Sequence, residues 1–201
     1  LDELAAGTAT PGGGAAAAYA AAMGAALCEM VARLTVGKKK YADVEARMME
    51  IIVEADELRK KLTDGVQQDS AAFDAVMAAL RLPKDTEAQQ TARAEAIEAA
   101  TIRAAEVPLE AARLATRVIE LAAELAETGN SNAVSDCGSA GALAGAGLHA
   151  ASLNVRINAA QVKDQAAVQQ WQETLAELQQ RASQANQRLN AAIQERGGIT
   201  P

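Results

Sequence analysis

The chain has 201 residues, with 19 lysines and arginines against 26 aspartates and glutamates for a formal charge of −7. That length suits one domain with its own core, and the charge repels polyanions, which excludes nucleic acid as a general partner. Half of the residues are hydrophobic but only 2% are aromatic, and no alternating β-branched run between turn dipeptides occurs, so composition predicts an all-α protein.

The first segment, "TPGGGAAAAYAAAMGAALC" at residues 10–28, is long and uncharged enough to raise the question of a membrane span. Its alanine and glycine content, Pro11, and the acidic Asp2 and Glu3 ahead of it argue against a signal or span. No initiator Met is present, so trimming of a few leading residues is expected, and the chain reads as soluble and cytoplasmic, with no membrane partner. Thr10 is a good N-cap and Pro11 a good first helical residue, which predicts a helix from here to about Val36. A second helical stretch, from Tyr41 to Leu82, carries Ile51, Ala55, Leu58 and Leu62 on one stripe, with Gly65 as a bend or break and Pro83 as its end. A polar segment from Thr86 leads to helices expected to meet near Pro108. The stripe Leu114, Val118, Leu121, Leu125 then runs to Gly129, a C-cap. The loop "GNSNAVSD" opens another small-residue helix, to about Val162. From Asp164, residues Val168, Trp171, Leu175, Leu178, Ala182, Ala185 and Leu189 form a heptad seam, expected to pack on the bundle or on a second subunit.

Two helices of mostly alanine and glycine imply either close helix packing or a slot for a flat ligand. Phosphate-loop matches fail. "VGKKK" at 36–40 lacks the Ser or Thr after its lysine and the glycine a Walker loop needs at position 32, and "GAGLHA" at 145–150 follows no strand. His149 and Cys137 or Ser135 do not form a nucleophilic pair, because 12 residues of one helix separate Cys137 from His149 by about 18 Å. The two cysteines, Cys28 and Cys137, form no metal-like pair and are expected to be reduced thiols. A lone histidine and the lack of a Glu-x-x-His pair leave no metal and no cofactor implied.

Three polar features remain. "TPGGG" exposes backbone N–H groups at a helix start. "GKKKY", Gly37 to Tyr41, is either a solvated run or a site for a polycarboxylate tail. "GNSNAVSD" delivers Asp136 to a helix start, either as a cap or as a functional carboxylate. Asn154 and Asn158, one turn apart, extend a polar face, and Asp69 and Asp74 form an acidic pair whose spacing of five does not share a face.

Taken together, "TPGGG", "LTVGKKKY", "DSAAFDAVMAALRLPKDT", "AAEVPLEAA" and "GNSNAVSDCGSAGALAGAGLHAASLNVRIN" resemble the cyclodeaminase/cyclohydrolase family, from about Leu1 to Asp164 and in the same order. The family includes a stand-alone methenyltetrahydrofolate cyclohydrolase and the C-terminal domain of formiminotransferase-cyclodeaminase. No formiminotransferase segment occurs in these 201 residues, which favours the stand-alone form. The resemblance implies a single helical domain over 1–201 that forms a homodimer, with a tetrahydrofolate one-carbon derivative as substrate in a groove near the subunit interface. It implies that Gly12, Gly13 and Gly14 line the pocket, that Lys38, Lys39 and Lys40 with Tyr41 meet the glutamate tail, and that Asn132, Ser135 and a catalytic Asp136 lie by the one-carbon unit. One departure is Ala15, where the family often has Ser, so a hydroxyl contribution is absent there. The expected reaction is hydrolysis of 5,10-methenyltetrahydrofolate, with cyclodeamination of the 5-formimino compound as the alternative. A non-catalytic helical interaction protein is the competing class, suggested by the alanine bulk and the glutamine-rich seam.

Overall fold

The computed structural model describes residues 1–198 and 200; Ile199 and Pro201, at the end of the expected domain, lie outside the described residues. After a four-residue turn of helix, α1 (Asp2–Ala5), come five long helices: α2 (Gly13–Thr35), α3 (Glu45–Leu80), α4 (Glu87–Thr128), α5 (Val134–Ala159) and α6 (Gln165–Gly197). Short 3₁₀ segments, Lys39–Val44 and Ser131–Ala133, lead into α3 and α5. No strand occurs among the described residues.

Helix α2 packs against α3, α4 and α5, and α6 lies along α4 and α5 on the side away from α3. The seam residues Trp171, Leu175, Leu178, Ala182, Ala185 and Leu189 are all buried in the bundle's own core. The observation that suggested an external helical partner is thereby accounted for within the chain. By length and composition α2 is apolar enough to cross a membrane, but it is the core helix of this bundle, with Ala21, Ala25, Cys28, Val31 and Ala32 fully buried.

The small residues of α2 and α5 meet each other. A β-carbon on Gly147 would lie 2.8 Å from the Ala17 carbonyl oxygen and 3.0 Å from the Ala21 Cβ; one on Gly24 would lie 2.8 Å from the Ala140 carbonyl oxygen. These contacts run antiparallel, so the start of α2 lies beside the end of α5 and the end of α2 beside its start. Close packing therefore explains the middle of both helices.

Four expectations about boundaries are corrected. Helix α2 starts at Gly13 with Gly12 as N-cap, not at Pro11 with Thr10, because a carboxylate from α3 caps it from outside, as described below. Tyr41 precedes α3, within the first 3₁₀ segment. Gly65 neither bends nor ends α3, which is continuous; it faces α2 at Ala18, whose Cβ would be in ordinary contact, at 3.6 Å, with a β-carbon there. Pro108 lies inside a continuous α4. Proline removes the N–H that would bond the carbonyl four residues back, here that of Ala104. The Asn158 side-chain amide of α5 donates to that carbonyl at 2.8 Å, so a neighbouring helix replaces the lost bond. Other ends follow local chemistry: Thr86 and Gln89 form a reciprocal capping box for α4, and the Asp164 carboxylate accepts the N–H groups of Ala166 and Ala167 at the start of α6. Gly129 caps α4, but in an extended rather than a left-handed conformation.

Candidate functional site

At the start of α2 a cavity of about 440 Å³ opens between α2, α3, α4 and α5. Gly12 and Gly13 form one wall, Asp69 and Phe73 of α3 another, and Asn154 and Asn158 of α5 a third. Asp69 Oδ2 accepts the Ala15 N–H at 2.9 Å, which satisfies one of the free donors of the helix start and offsets part of its positive end. A β-carbon on Gly14 would sit 2.5 Å from the Asp69 Cγ and 2.8 Å from Oδ2. Glycine at 14 is therefore the condition for the carboxylate to reach the helix end. Burial pushes the Asp69 pKa up, and the Ala15 N–H partly opposes this. Phe73, one turn on from Asp69, presents a flat aromatic surface to the same space. Asn154 Nδ2 donates to its own helix at Ala150 and lies against Gly13.

The second polar cluster lies at the other end of α2. Lys38, Lys39 and Lys40 are exposed, and Lys40 Nζ lies 5.2 Å from the centre of the Tyr41 ring. The Tyr41 hydroxyl shares a 3.2 Å hydrogen bond with the Ser131 Oγ and accepts the Ser131 N–H at 3.0 Å. These bonds, with Lys40 beside it, bring the Tyr41 phenol down to about 8. Asn130 ties the same loop to α2, donating its N–H to Thr35 Oγ1 and its side-chain amide to the Leu34 carbonyl. Asn132 and Ser135 are exposed and Asp136 is half-buried in the first turn of α5.

The structure thus joins Lys38–Tyr41 to the Asn132–Asp136 segment but does not bring Gly12, Gly13 and Gly14 to them within one chain. The 23 residues of α2 separate the two groups by about 33 Å. Sequence reading missed Phe73 and Thr101 as cavity residues, and it noted Asp69 only as one of an unaligned acidic pair. The available signal was the i, i+4 spacing of Asp69 and Phe73 in "DSAAFDAV", which puts both on one helix face. Cys28 and Cys137 are free and buried, and burial pushes both thiols up, Cys137 to about 12. No group of three or more His, Cys, Asp or Glu side chains suited to a metal ion occurs among the described residues.

An all-helical bundle with a cavity at the glycine-rich start of its core helix defines the class, and comparison with known proteins gives the family. The chain belongs to the formiminotransferase-cyclodeaminase family, whose profile matches residues 1–194. It is 44% identical over 196 residues to the methenyltetrahydrofolate cyclohydrolase of Methylorubrum extorquens, a match that covers 98% of this chain and 94% of that protein. It is 36% identical over 180 residues to the formimidoyltransferase-cyclodeaminase of Sus scrofa, covering 90% of this chain but 33% of that longer protein. Among solved structures, formiminotetrahydrofolate cyclodeaminase from Thermotoga maritima superposes with a TM-score of 0.87 at 33% identity, covering 96% of this chain and 93% of that one.

Proposed function

We propose that this chain is a methenyltetrahydrofolate cyclohydrolase, which adds water to 5,10-methenyltetrahydrofolate and releases 10-formyltetrahydrofolate. The observation that carries the reading is the 44% identity to a cyclohydrolase along nearly the full length of both chains. The substrate's one-carbon unit is a cationic amidinium, so its hydrolysis calls for a carboxylate to balance the charge, a positioned water and a group to move a proton. The half-buried Asp136 would balance the cation, with Asn132 and Ser135 beside it, and Lys38, Lys39 and Lys40 would hold the anionic glutamate tail. Gly12, Gly13 and Gly14 would let the flat ring system approach the backbone.

The separation of these groups is the reason to propose a homodimer. On its outer face α2 leaves Tyr19, Met23, Met30 and Leu34 exposed, at spacings of four, seven and four that keep them on one stripe. Pairing this stripe antiparallel with its copy would set the glycine end of one protomer against the lysine and Asp136 end of the other, and one groove would hold both groups. A second copy is the occupant that suits such an apolar stripe, because an isologous contact needs a face complementary to itself.

The test follows the loss of near-ultraviolet absorbance of 5,10-methenyltetrahydrofolate with purified protein, against the spontaneous rate in the same buffer. Accelerated loss that Asp136→Asn abolishes with the fold intact is the expected result; full activity in that variant would return Asp136 to the role of a helix cap. The second reading, cyclodeamination of 5-formiminotetrahydrofolate, draws on the likeness to the Thermotoga enzyme. Ammonia release from that substrate, with no acceleration of methenyl hydrolysis, would favour it instead.

A further inference from the structure

The chain leaves α4 under ties from three other parts of the bundle. In a longer helix the Asn130 N–H would bond the Ala126 carbonyl four residues back; here it goes to Thr35 Oγ1 of α2 at 3.0 Å. The close approach of Thr35 needs glycine at 129, since a β-carbon there would lie 3.3 Å from that Oγ1 and 2.7 Å from the Leu125 carbonyl oxygen. The diverted N–H leaves the carbonyl of the fully buried Ala126 without its helical donor. Arg196, near the end of α6, supplies one: its Nη1 donates to the Ala126 carbonyl and its Nη2 to the Gly129 carbonyl, the latter at 2.7 Å. A planar guanidinium suits two acceptors at once, and its charge meets the negative end of the α4 dipole. The third tie is the Tyr41 hydroxyl, bonded to Ser131.

Arg196 also stands close to the start of α5. Burial is the main cause that holds the Cys137 thiol high; the Asp136 carboxylate adds to the rise and the Arg196 guanidinium opposes it. The cation is therefore within electrostatic reach of the first turn of α5, where Asp136 lies. The other arginines of α6 act differently. Arg181 and Arg188 pair with the side chains of Glu120 and Glu127, whereas Arg196 donates to backbone.

We propose that Arg196 is a positioning residue: by holding the carbonyls of Ala126 and Gly129 it sets the path of residues 130–136, and with it the places of Asn132 and Asp136. Its part in the reaction rests on the reading that puts those two groups by the one-carbon unit. Arg196 touches no reacting atom, and its effect passes through the backbone. The inference gives the C-terminal helix, which carries none of the motifs read from the sequence, a share in the site.

The experiment compares wild type with Arg196→Met, Arg196→Lys and Arg188→Met. Steady-state kinetics with 5,10-methenyltetrahydrofolate are read at a temperature where circular dichroism shows each protein folded, and ultraviolet titration follows Tyr41. Met keeps the apolar stem but donates nothing. A displacement of about 1 Å at a reacting group can cost about a hundredfold in rate, so kcat in R196M should fall about ten- to a hundredfold. KM should change little, because Lys38, Lys39 and Lys40 lie on a different segment. Lys lacks the fork that serves both carbonyls and should restore part of kcat. Tyr41 gives a readout that needs no turnover, since its ionisation at about 8 depends first on its bonds to Ser131. In R196M the tyrosinate phase should move up toward the ordinary value near 10. A smaller rise in R196K, which keeps the charge, would tie the shift to movement of the loop. R188M, which removes a contact of the same helix to a side chain, should leave kcat and Tyr41 as in the wild type.

An R196M protein that melts lower yet keeps the wild-type kcat and tyrosinate phase marks Arg196 as a structural cap and overturns the proposal. A rise in KM alone, an equal fall of kcat in R188M, or a loss of kcat with Tyr41 unmoved also overturns it. Should R196M fail to fold, an unchanged kcat and tyrosinate phase in R196K do the same. A wild type inert toward both folate substrates overturns the enzyme reading, and the Tyr41 phase then decides the positioning alone: moved in R196M it supports Arg196 as the holder of the loop, unmoved it overturns that as well.

Discussion

Pro108 and Asn158 make a two-residue test of how this bundle tolerates a proline inside its longest helix. Removing the amide in Asn158→Ala leaves the Ala104 carbonyl without the donor that replaces the missing Pro108 N–H, in a residue only 8% exposed. An unsatisfied buried acceptor costs about 1–3 kcal/mol, and at about 2–4 °C per kcal/mol for a chain of this size the melting temperature should fall by several degrees. In a Pro108→Ala background the residue at 108 regains an N–H that can bond Ala104 itself, so the same Asn158→Ala change should cost less than about 1 kcal/mol. The other Asn158 bond, to the Asn154 carbonyl, is lost in both backgrounds and cancels. Urea unfolding of the four proteins in a double-mutant cycle should give a coupling of about 1–2 kcal/mol. Equal costs of Asn158→Ala in both backgrounds, within the ~0.5 kcal/mol expected of independent sites, would refute the account.

On α5, Gly145→Ala and Gly147→Ala share the same helix-propensity gain of about 1 kcal/mol, but a β-carbon at 145 meets nothing while one at 147 meets the α2 backbone. Gly145→Ala should therefore stabilise and Gly147→Ala should unfold at lower temperature, the two differing by about 1–3 kcal/mol of overpacking; equal melting temperatures would contradict the close α2–α5 contact. Of the two tyrosines in the chain, Tyr41 should ionise at about 8, seen as an early tyrosinate absorbance phase that Tyr41→Phe removes. Because the folded state holds that pKa below the usual value, the phenolate's contribution to stability is full above the unfolded pKa near 10 and is lost as pH falls through about 8. Replacing Lys38, Lys39 and Lys40 with Gln should raise KM for a polyglutamylated substrate by up to about fivefold per charge at low salt, following about 0.2–1 kcal/mol for each exposed ion pair, and added salt should erase the difference while kcat stays unchanged.

Much of the fold was legible because its signals are local. The stripe of Ile51, Ala55, Leu58 and Leu62, the seam of α6, and the beginning of the last helix near Asp164 need only residues within a few turns of one another, and all appear as read. The misread points depend on residues far along the chain. Gly65 looks like a break until Ala18 is set against it, Pro108 looks like a boundary until Asn158 supplies the missing donor, and the start of α2 shifts from Pro11 to Gly13 because its cap comes from Asp69, 54 residues away. The candidate site divides along the same line. The glycine, lysine and Asn-Asp motifs stand out as runs, but that they occupy opposite ends of one helix follows from the antiparallel packing of α2 and α5. Asp69 was hidden because its pairing with Gly14 is visible only once α2 and α3 lie side by side.

The alanine and glycine seam between α2 and α5 also bears on the thermodynamics of unfolding. Alanine and glycine lose no side-chain rotamer freedom when buried, although each glycine gives up more backbone freedom than other residues, and this part of the core exposes little apolar surface per residue when it opens. The heat-capacity change on unfolding scales with that surface. For this chain it should fall below the ~12–15 cal/mol/K per residue of ordinary globular proteins, giving a broad, shallow dependence of stability on temperature and a fold that weakens gradually toward both heat and cold.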